Sequence, residues 1–345
     1  MDWNEYGAFI VEETKNLLAI DSPSGMTKKA AEHVVARFEA LGYAPQMTRK
    51  DGVLVCLGGS DKENGLLLEA HMDTLGGMVC QIKPNGRLKI TPIGGLRAEN
   101  VETENCRVVT KFDGVIEGTA QLINASTHVN EKYADTQRTF DTVEIVLDEP
   151  TASAEDVKRL GIRTGDYVCF EPRTRVTKSG YIKSRFLDDK LSVGILLGYA
   201  KYLKDERITP DRAVYVHITS FEEVGHGGSA SVPAGVTEAI SVDMGCVGEG
   251  LTCDERMVSI CAKDSGGPYH YDVVRGLIAA AEKMGAPYAV DVYPRYGSDV
   301  EATLRAGYDI RHGLIGSGVY ASHGYERSHV EGALATLKTL IGYVG

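Results

Sequence analysis

Between Cys80 and about Asp166 the chain changes texture, and this break limits what it can fold into. Short alternating stretches, Leu88–Ile93, Arg107–Thr110, Val115–Leu122 and Thr142–Leu147, are separated by turn signals such as Pro84-Asn-Gly86 and Phe112-Asp-Gly114. Alternation with period two marks half-buried strands, and Asn-Gly or Asp-Gly between them marks hairpins. A short helix is predicted near Ser153–Leu160, where Ser153-Ala-Glu-Asp156 supplies a cap. On either side the periods are those of an α/β protein. Trp3–Leu18, Thr27–Leu41, Asp189–Tyr202, Tyr269–Met284 and His329–Tyr343 read as helices. Val53–Leu57, Leu66–Ala70, Ala213–Thr219, Ala239–Asp243, Val258–Ala262 and Val290–Tyr293 read as strands. Strands alternating with helices imply a mostly parallel, mixed sheet covered by helices. The expected architecture is one α/β domain from residues 1–76 and 172–345, interrupted by a small β-barrel-like domain over residues 77–171.

Bulk properties exclude several classes of function. With 37 basic and 48 acidic residues the net charge is −11. A chain of that balance is poorly suited to nucleic acid or anionic membranes. No stretch approaches the roughly 20 apolar residues of a membrane span, and the N-terminal residues lack the basic and apolar regions of a signal peptide. The seven cysteines are scattered, without a CxxC pair, so neither a disulfide framework nor a thiolate zinc site is indicated. Most fall in apolar runs and read as buried reduced thiols. A cytoplasmic protein is expected.

The chemistry gathers at strand ends. The apolar run from Val214 ends in Glu222-Glu223-Val-Gly225. Two adjacent carboxylates at a strand tip repel each other unless a cation lies beside them. His71-Met-Asp73 closes another strand, where residues i and i+2 share a side. His71 is placed to ligate a metal while Asp73 accepts from its other ring nitrogen; the alternative is a solvated turn. Asp188-Asp189 precedes a helix and reads either as a cap with a first-turn acid or, at Asp188, as a carboxylate bridging two metals. Asp243 ends a third strand. His323 lies in the loop before the last helix, with His329 as its competitor. His33, His128, His217, His226, His270 and His312 have no partner motif and read as structural or exposed. Together, histidines and carboxylates at strand ends supply the mixed N/O donors that suit Zn, Co or Mn. Two such metals share a carboxylate, activate a bridging water and polarise a carbonyl, with an unligated carboxylate moving the proton. No Gly-x-Ser-x-Gly elbow, Walker A loop or Gly-x-Gly-x-x-Gly turn offers competing chemistry.

The ordered set His71-x-Asp73, Leu187-Asp188-Asp189-Lys190, Glu222-Glu223-Val-Gly225, Val242-Asp243 and Ser322-His323 resembles the tetrahedral-aminopeptidase and glutamyl-aminopeptidase family of dinuclear metallopeptidases, metallopeptidase family 42, whose members are also described as deblocking aminopeptidases or cellulases. Ile20-Asp-Ser-Pro-Ser-Gly25, Ile93-Gly-Gly95, Gly161-Ile-Arg-Thr-Gly-Asp166 and Gly297-Ser-Asp299 extend the resemblance over nearly the whole chain. It implies a zinc-exopeptidase-like fold and release of N-terminal residues from short peptides. It assigns His71, Asp188 and Asp243 to one metal and Asp188, Glu223 and His323 to the other. It makes Glu222 the general base and acid, lets Asp73 orient His71, and places Asp299 in the substrate pocket. It also implies a homo-oligomer, a tetrahedral dodecamer in many members, with the inserted domain serving oligomerisation or covering the active site. The chain departs from the family's usual pattern at Lys190, His226 and the loop Ser322–Arg327. A related two-metal amidohydrolase, either a deacylase or a carboxypeptidase, and a non-catalytic scaffold are the competing readings.

Overall fold

The computed structural model describes residues 2–112 and 114–345. Asp113, in the second expected hairpin turn, lies outside the described residues. Two helices open the chain, α1 (Trp3–Leu18) and α2 (Lys28–Ala40), followed by β1 (Gln46–Met47), β2 (Val53–Gly58) and β3 (Asp61–His71). Next come β4 (Gly76–Ile82), β5 (Leu88–Ile93), β6 (Asn105–Val109), β7 (Val115–Leu122), β8 (Val143–Leu147), α3 (Ala154–Arg159) and β9 (Tyr167–Phe170). The chain continues through β10 (Arg175–Val176), β11 (Tyr181–Ser184), α4 (Leu187–Asp205), β12 (Arg212–Thr219), β13 (Val236–Val242), β14 (Gly245–Val247) and β15 (Val258–Lys263). It ends with α5 (Tyr271–Met284), β16 (Tyr288–Val292), α6 (Asp299–Arg305), β17 (Arg311–Tyr320), β18 (Glu326–His329) and α7 (Val330–Val344).

These elements form two compact units, Met1–Thr74 with Arg173–Gly345, and Leu75–Pro172. In the second, β4-β5-β8-β7-β6-β9 close into an antiparallel barrel. Val79, Ile90, Val108, Ala120, Ile145 and Val168 are buried. Ser153 accepts from the Asp156 amide, while the Asp156 carboxylate accepts from the Ala152 amide, so the predicted cap of α3 is made.

The first unit is built on a 12-stranded mixed sheet. Its centre, in the order β12-β3-β13-β17, is parallel, with Thr219 beside His71 and Val242 beside Ile315. β2 and β15 join antiparallel on either side. Leu66 and Leu68 of β3 enter the main core, and Leu67 enters a smaller cluster with Leu314 and Val300. Each such leucine contributes about 1.5–3 kcal/mol of apolar burial. Residues Leu187–Ala200 of α4 are all buried, as its nearly unbroken apolar and small sequence requires. Gly194 faces Thr14 and the Ile10 carbonyl of α1 so closely that a Cβ there would overlap them. Lys190 is buried too; its Nζ donates to the carbonyls of Leu17 and Ile20, at 3.1 and 2.7 Å, where α1 ends. A cation satisfying the last carbonyls of a helix is favourable, which gives the chain's departure at Lys190 a structural reason.

β17 is a central strand that the sequence pattern hides. Gly313, Gly316 and Gly318 interrupt its apolar run. The interruptions are packing requirements: a Cβ at Gly316 would overlap the Asp243 carbonyl, and one at Gly318 the Asp254 carbonyl. Of the cysteines, Cys106, Cys169, Cys253 and Cys261 are buried, whereas Cys56 and Cys80 point outward from their strands and are exposed. Among the described residues no helix is long and apolar enough to cross a membrane.

Candidate metal centre

The carboxyl ends of β3, β12 and β13 lie side by side, and this is where ligands bind in open α/β sheets. His71 is the last residue of β3, and Asp243 directly follows β13. Glu222 and Glu223 sit in a 3-10 turn, Glu222–Val224, entered through Phe221 and left through Gly225, both left-handed. Asp188 is at the start of α4, where it and Asp189 have non-helical backbone angles, and its two oxygens face the His71 and His323 imidazoles. Its carboxylate is thus turned toward the two candidate donor groups. His323 lies in the turn between β17 and β18.

These five elements bring two donor groups together. In each, one ligand atom per residue lies within 4.8 Å of the others: His71, Asp188 and Asp243 in one group, Asp188, Glu223 and His323 in the other. Asp188 belongs to both. Its Oδ1 is 3.1 Å from His71 Nε2, and its Oδ2 is 3.4 Å from His323 Nε2. Glu223 Oε2 is 3.5 Å from His323 Nε2. Glu222 is in neither group, yet its Oε2 is 3.7 Å from His71 Nε2. His329 is elsewhere: its ring accepts from the Glu331 amide as the cap of α7. His226 is exposed and stacks on Phe221, with ring centroids 4.9 Å apart.

The electrostatics are those of a site short of positive charge. Burial pushes Glu222 and Glu223 well above the usual carboxylate range, and neighbouring carboxylates push further. Burial and Asp188 raise Asp243 to about 7. Burial opposes the charging of His323, but Asp188, Glu223 and Glu326 raise it to about 10. His71 likewise rises well above its ordinary value against the cost of burial. Burial would raise Asp188, but the imidazoles of His323 and His71 draw it below the usual range. So many buried carboxylates around two imidazoles, sharing one aspartate, are the donor chemistry of a divalent metal pair. The residues fit such a pair.

Two neighbours act differently from expectation. The hydrogen bond of His71 Nδ1 goes to the main-chain carbonyl of Asp73, at 2.9 Å; the Asp73 carboxylate is 3.6 Å away. That carboxylate instead accepts from Ser24 Oγ at 2.5 Å and from the amides of Glu222 and Glu223 at 3.1 and 3.3 Å. Asp73 thus anchors the turn that carries both glutamates. Asp299 is 3% exposed and both its oxygens are engaged, by the Gly228 amide and the Thr219 hydroxyl. It underpins the glycine loop after Glu223 rather than facing an open pocket. Three further groups carried no motif. Lys50 donates to the carbonyls of His226 and Gly227 and fixes the same loop. Glu69 and His217 are buried with Oε1 and Nδ1 3.4 Å apart. Glu326 accepts from two ligand backbones.

A helix-covered mixed sheet with histidines and carboxylates gathered at one edge is the arrangement of a metal-dependent hydrolase. The chain belongs to the M42 glutamyl aminopeptidase family, whose profile matches residues 51–339. YhfE of Bacillus subtilis (strain 168) is 41% identical over 334 residues, covering 97% of this chain and 96% of its own. The glutamyl aminopeptidase of Lactococcus lactis subsp. cremoris (strain MG1363) is 25% identical over 227 residues, 64% of this chain and 61% of that one. Among solved structures, aminopeptidase APDkam598 of the archaeon Desulfurococcus kamchatkensis has a TM-score of 0.87 at 22% identity, covering 98% of this chain and 95% of that one. The Pyrococcus horikoshii TET1 peptidase has a TM-score of 0.84 at 22% identity, covering 97% and 99%. The fold is that of the TET aminopeptidases, and the chain is a metal-dependent aminopeptidase.

Proposed function

We propose that this aminopeptidase holds two divalent ions, one with His71, Asp188 and Asp243 and one with Asp188, Glu223 and His323, and that Glu222 moves the proton. The supporting observation is the division of the adjacent glutamates: Glu223 belongs to a donor group and Glu222 stands beside one, 3.7 Å from His71. When bound, such ions supply Lewis acidity toward the scissile carbonyl and lower the pKa of water. Glu222, half-buried beside the His71 group, takes the proton of the attacking water and delivers it to the leaving amine nitrogen. Water adds OH to the carbonyl carbon and H to the nitrogen, so the amide becomes a carboxylic acid and an amine. Asp73 keeps Glu222 in place through the two amides of its turn. Zinc is the ion the imidazole and carboxylate donors favour, with cobalt and manganese accepting the same set.

Short peptides with a free N-terminus are the substrates this reading requires. Chelator treatment is expected to abolish release of p-nitroaniline from aminoacyl p-nitroanilides, and added Zn, Co or Mn to restore it. N-acylated counterparts should be inert. Activity indifferent to chelator contradicts the metal assignment; equal cleavage of acylated substrates contradicts the aminopeptidase assignment in favour of a deacylase.

We also infer a cytoplasmic homo-oligomer. The Pyrococcus horikoshii TET1 peptidase is described as assembling into a tetrahedron or a large octahedral shell. The barrel unit here exposes Phe112, Val115 and Val129, at 81, 55 and 72%, apolar surface that assembly would cover. Light scattering coupled to size exclusion should give a multimer, a dodecamer if the shell is tetrahedral. A monomer at micromolar concentration rules the assembly out.

A further inference from the structure

We infer that Glu326 is a positioning residue that sets the spacing between the two donor groups by holding the main chain of Asp188 and of His323 at once; this rests on the two-metal reading above.

Glu326 is the first residue of β18 and is 2% exposed. Its Oε1 accepts from the His323 amide at 3.0 Å and its Oε2 from the Asp188 amide at 3.1 Å. The two amides come from different elements, one at the start of α4 and one in the turn before β18. Strand register makes the reach possible. Ser184 of β11 pairs with Glu326, and β11 leads directly into the segment that carries Asp188. The same glutamate is three residues beyond His323. One carboxylate therefore fixes the shared ligand and a ligand of the second group relative to each other.

Both segments need such a hold. His323 is left-handed, φ 63°, and Asp188 is non-helical inside a helix boundary. Left-handed backbone in a residue other than glycine persists where the surroundings determine it. A carboxylate suits the task because both of its oxygens accept. Glutamine has one accepting oxygen and one donating NH₂, so in either orientation its NH₂ opposes an N–H. The amide variant should thus behave almost like alanine, although it is nearly the same size. Groups that orient metal ligands in this way typically change metal affinity by about 10–100-fold when removed.

The test is a cobalt titration followed by absorbance and by metal analysis, on wild type, Glu326→Gln and Glu326→Ala. It is read together with kcat and KM at limiting and excess metal, and with the melting temperature of each metal-free protein. The expected result is an affinity about 10–100-fold weaker for the more weakly held ion in both variants. In addition, kcat should be low at limiting metal and recover with excess metal at unchanged KM, and melting should stay within a few degrees of wild type. Wild-type affinity in the variants, activity that excess metal does not restore, or loss of the whole fold each overturns the positioning role. Wild type that binds no cobalt defeats the two-metal reading itself, so the two failures are distinct.

Discussion

Exchanging Glu222 for glutamine lowers kcat by about 10²–10⁴-fold, the usual worth of a general acid–base group, without releasing metal. Glu222 is outside both donor groups, so the variant keeps every ligand. The main-chain amides of residues 222 and 223 still bond to the Asp73 carboxylate, so the turn keeps its shape. What is lost is a half-buried carboxylate 3.7 Å from His71. An interaction made only in the transition state appears in kcat and kcat/KM equally, with KM little changed. Steady-state kinetics on an aminoacyl p-nitroanilide, with metal content measured on the same sample, decides the matter. Turnover near wild type in Glu222→Gln would falsify the assigned proton transfer.

Asp188→Asn is expected to reach further, because Asp188 is the one residue common to both groups. Its two oxygens face different imidazoles, at 3.1 and 3.4 Å. An amide presents a donor to one of them and removes the negative charge from both groups. If about 10–16 kcal/mol of binding is shared among roughly four ligands, each ligand is worth about 2.5–4 kcal/mol. That is on the order of 10²-fold in affinity for each ion. Activity should vanish at ordinary metal concentrations, and isothermal titration should show both binding events weakened. A variant that weakens only one event would mean that Asp188 is not shared.

The strand-end residues of the candidate site are legible in the sequence. His71, Asp243 and the adjacent glutamates follow apolar runs whose β-branched residues mark them as buried strands, and parallel pairing of those strands puts their ends together. Asp188 is ambiguous in the sequence because an aspartate before a helix is usually a cap; only its contacts with His71 and His323 show the second role. Spacing places the Asp73 side chain near His71, at 3.6 Å, but cannot say that the main-chain carbonyl lies nearer, at 2.9 Å. The Gly-Ser-Asp pattern at Asp299 does not reveal that the loop after Glu223 bonds to its carboxylate. Glu326 carried a readable signal, a glutamate three residues after His323, but its second partner is 138 residues away along the chain. β17 was hidden for a physical reason as well: its glycines answer to the backbone of neighbouring segments, not to the strand's own period. The inserted barrel was plain because hairpin turns and alternation are local.

The central claim is that two metals share Asp188, with Glu223 a ligand and Glu222 not. Anomalous diffraction from crystals of the loaded enzyme, recorded at the absorption edge of the bound metal, tests it most directly. The account predicts two peaks about 3.5–4 Å apart. One should lie about 2.0–2.2 Å from donor atoms of His71, Asp188 and Asp243, the other at the same range from Asp188, Glu223 and His323. A single peak, or two peaks with Glu222 coordinated and Glu223 free, contradicts it.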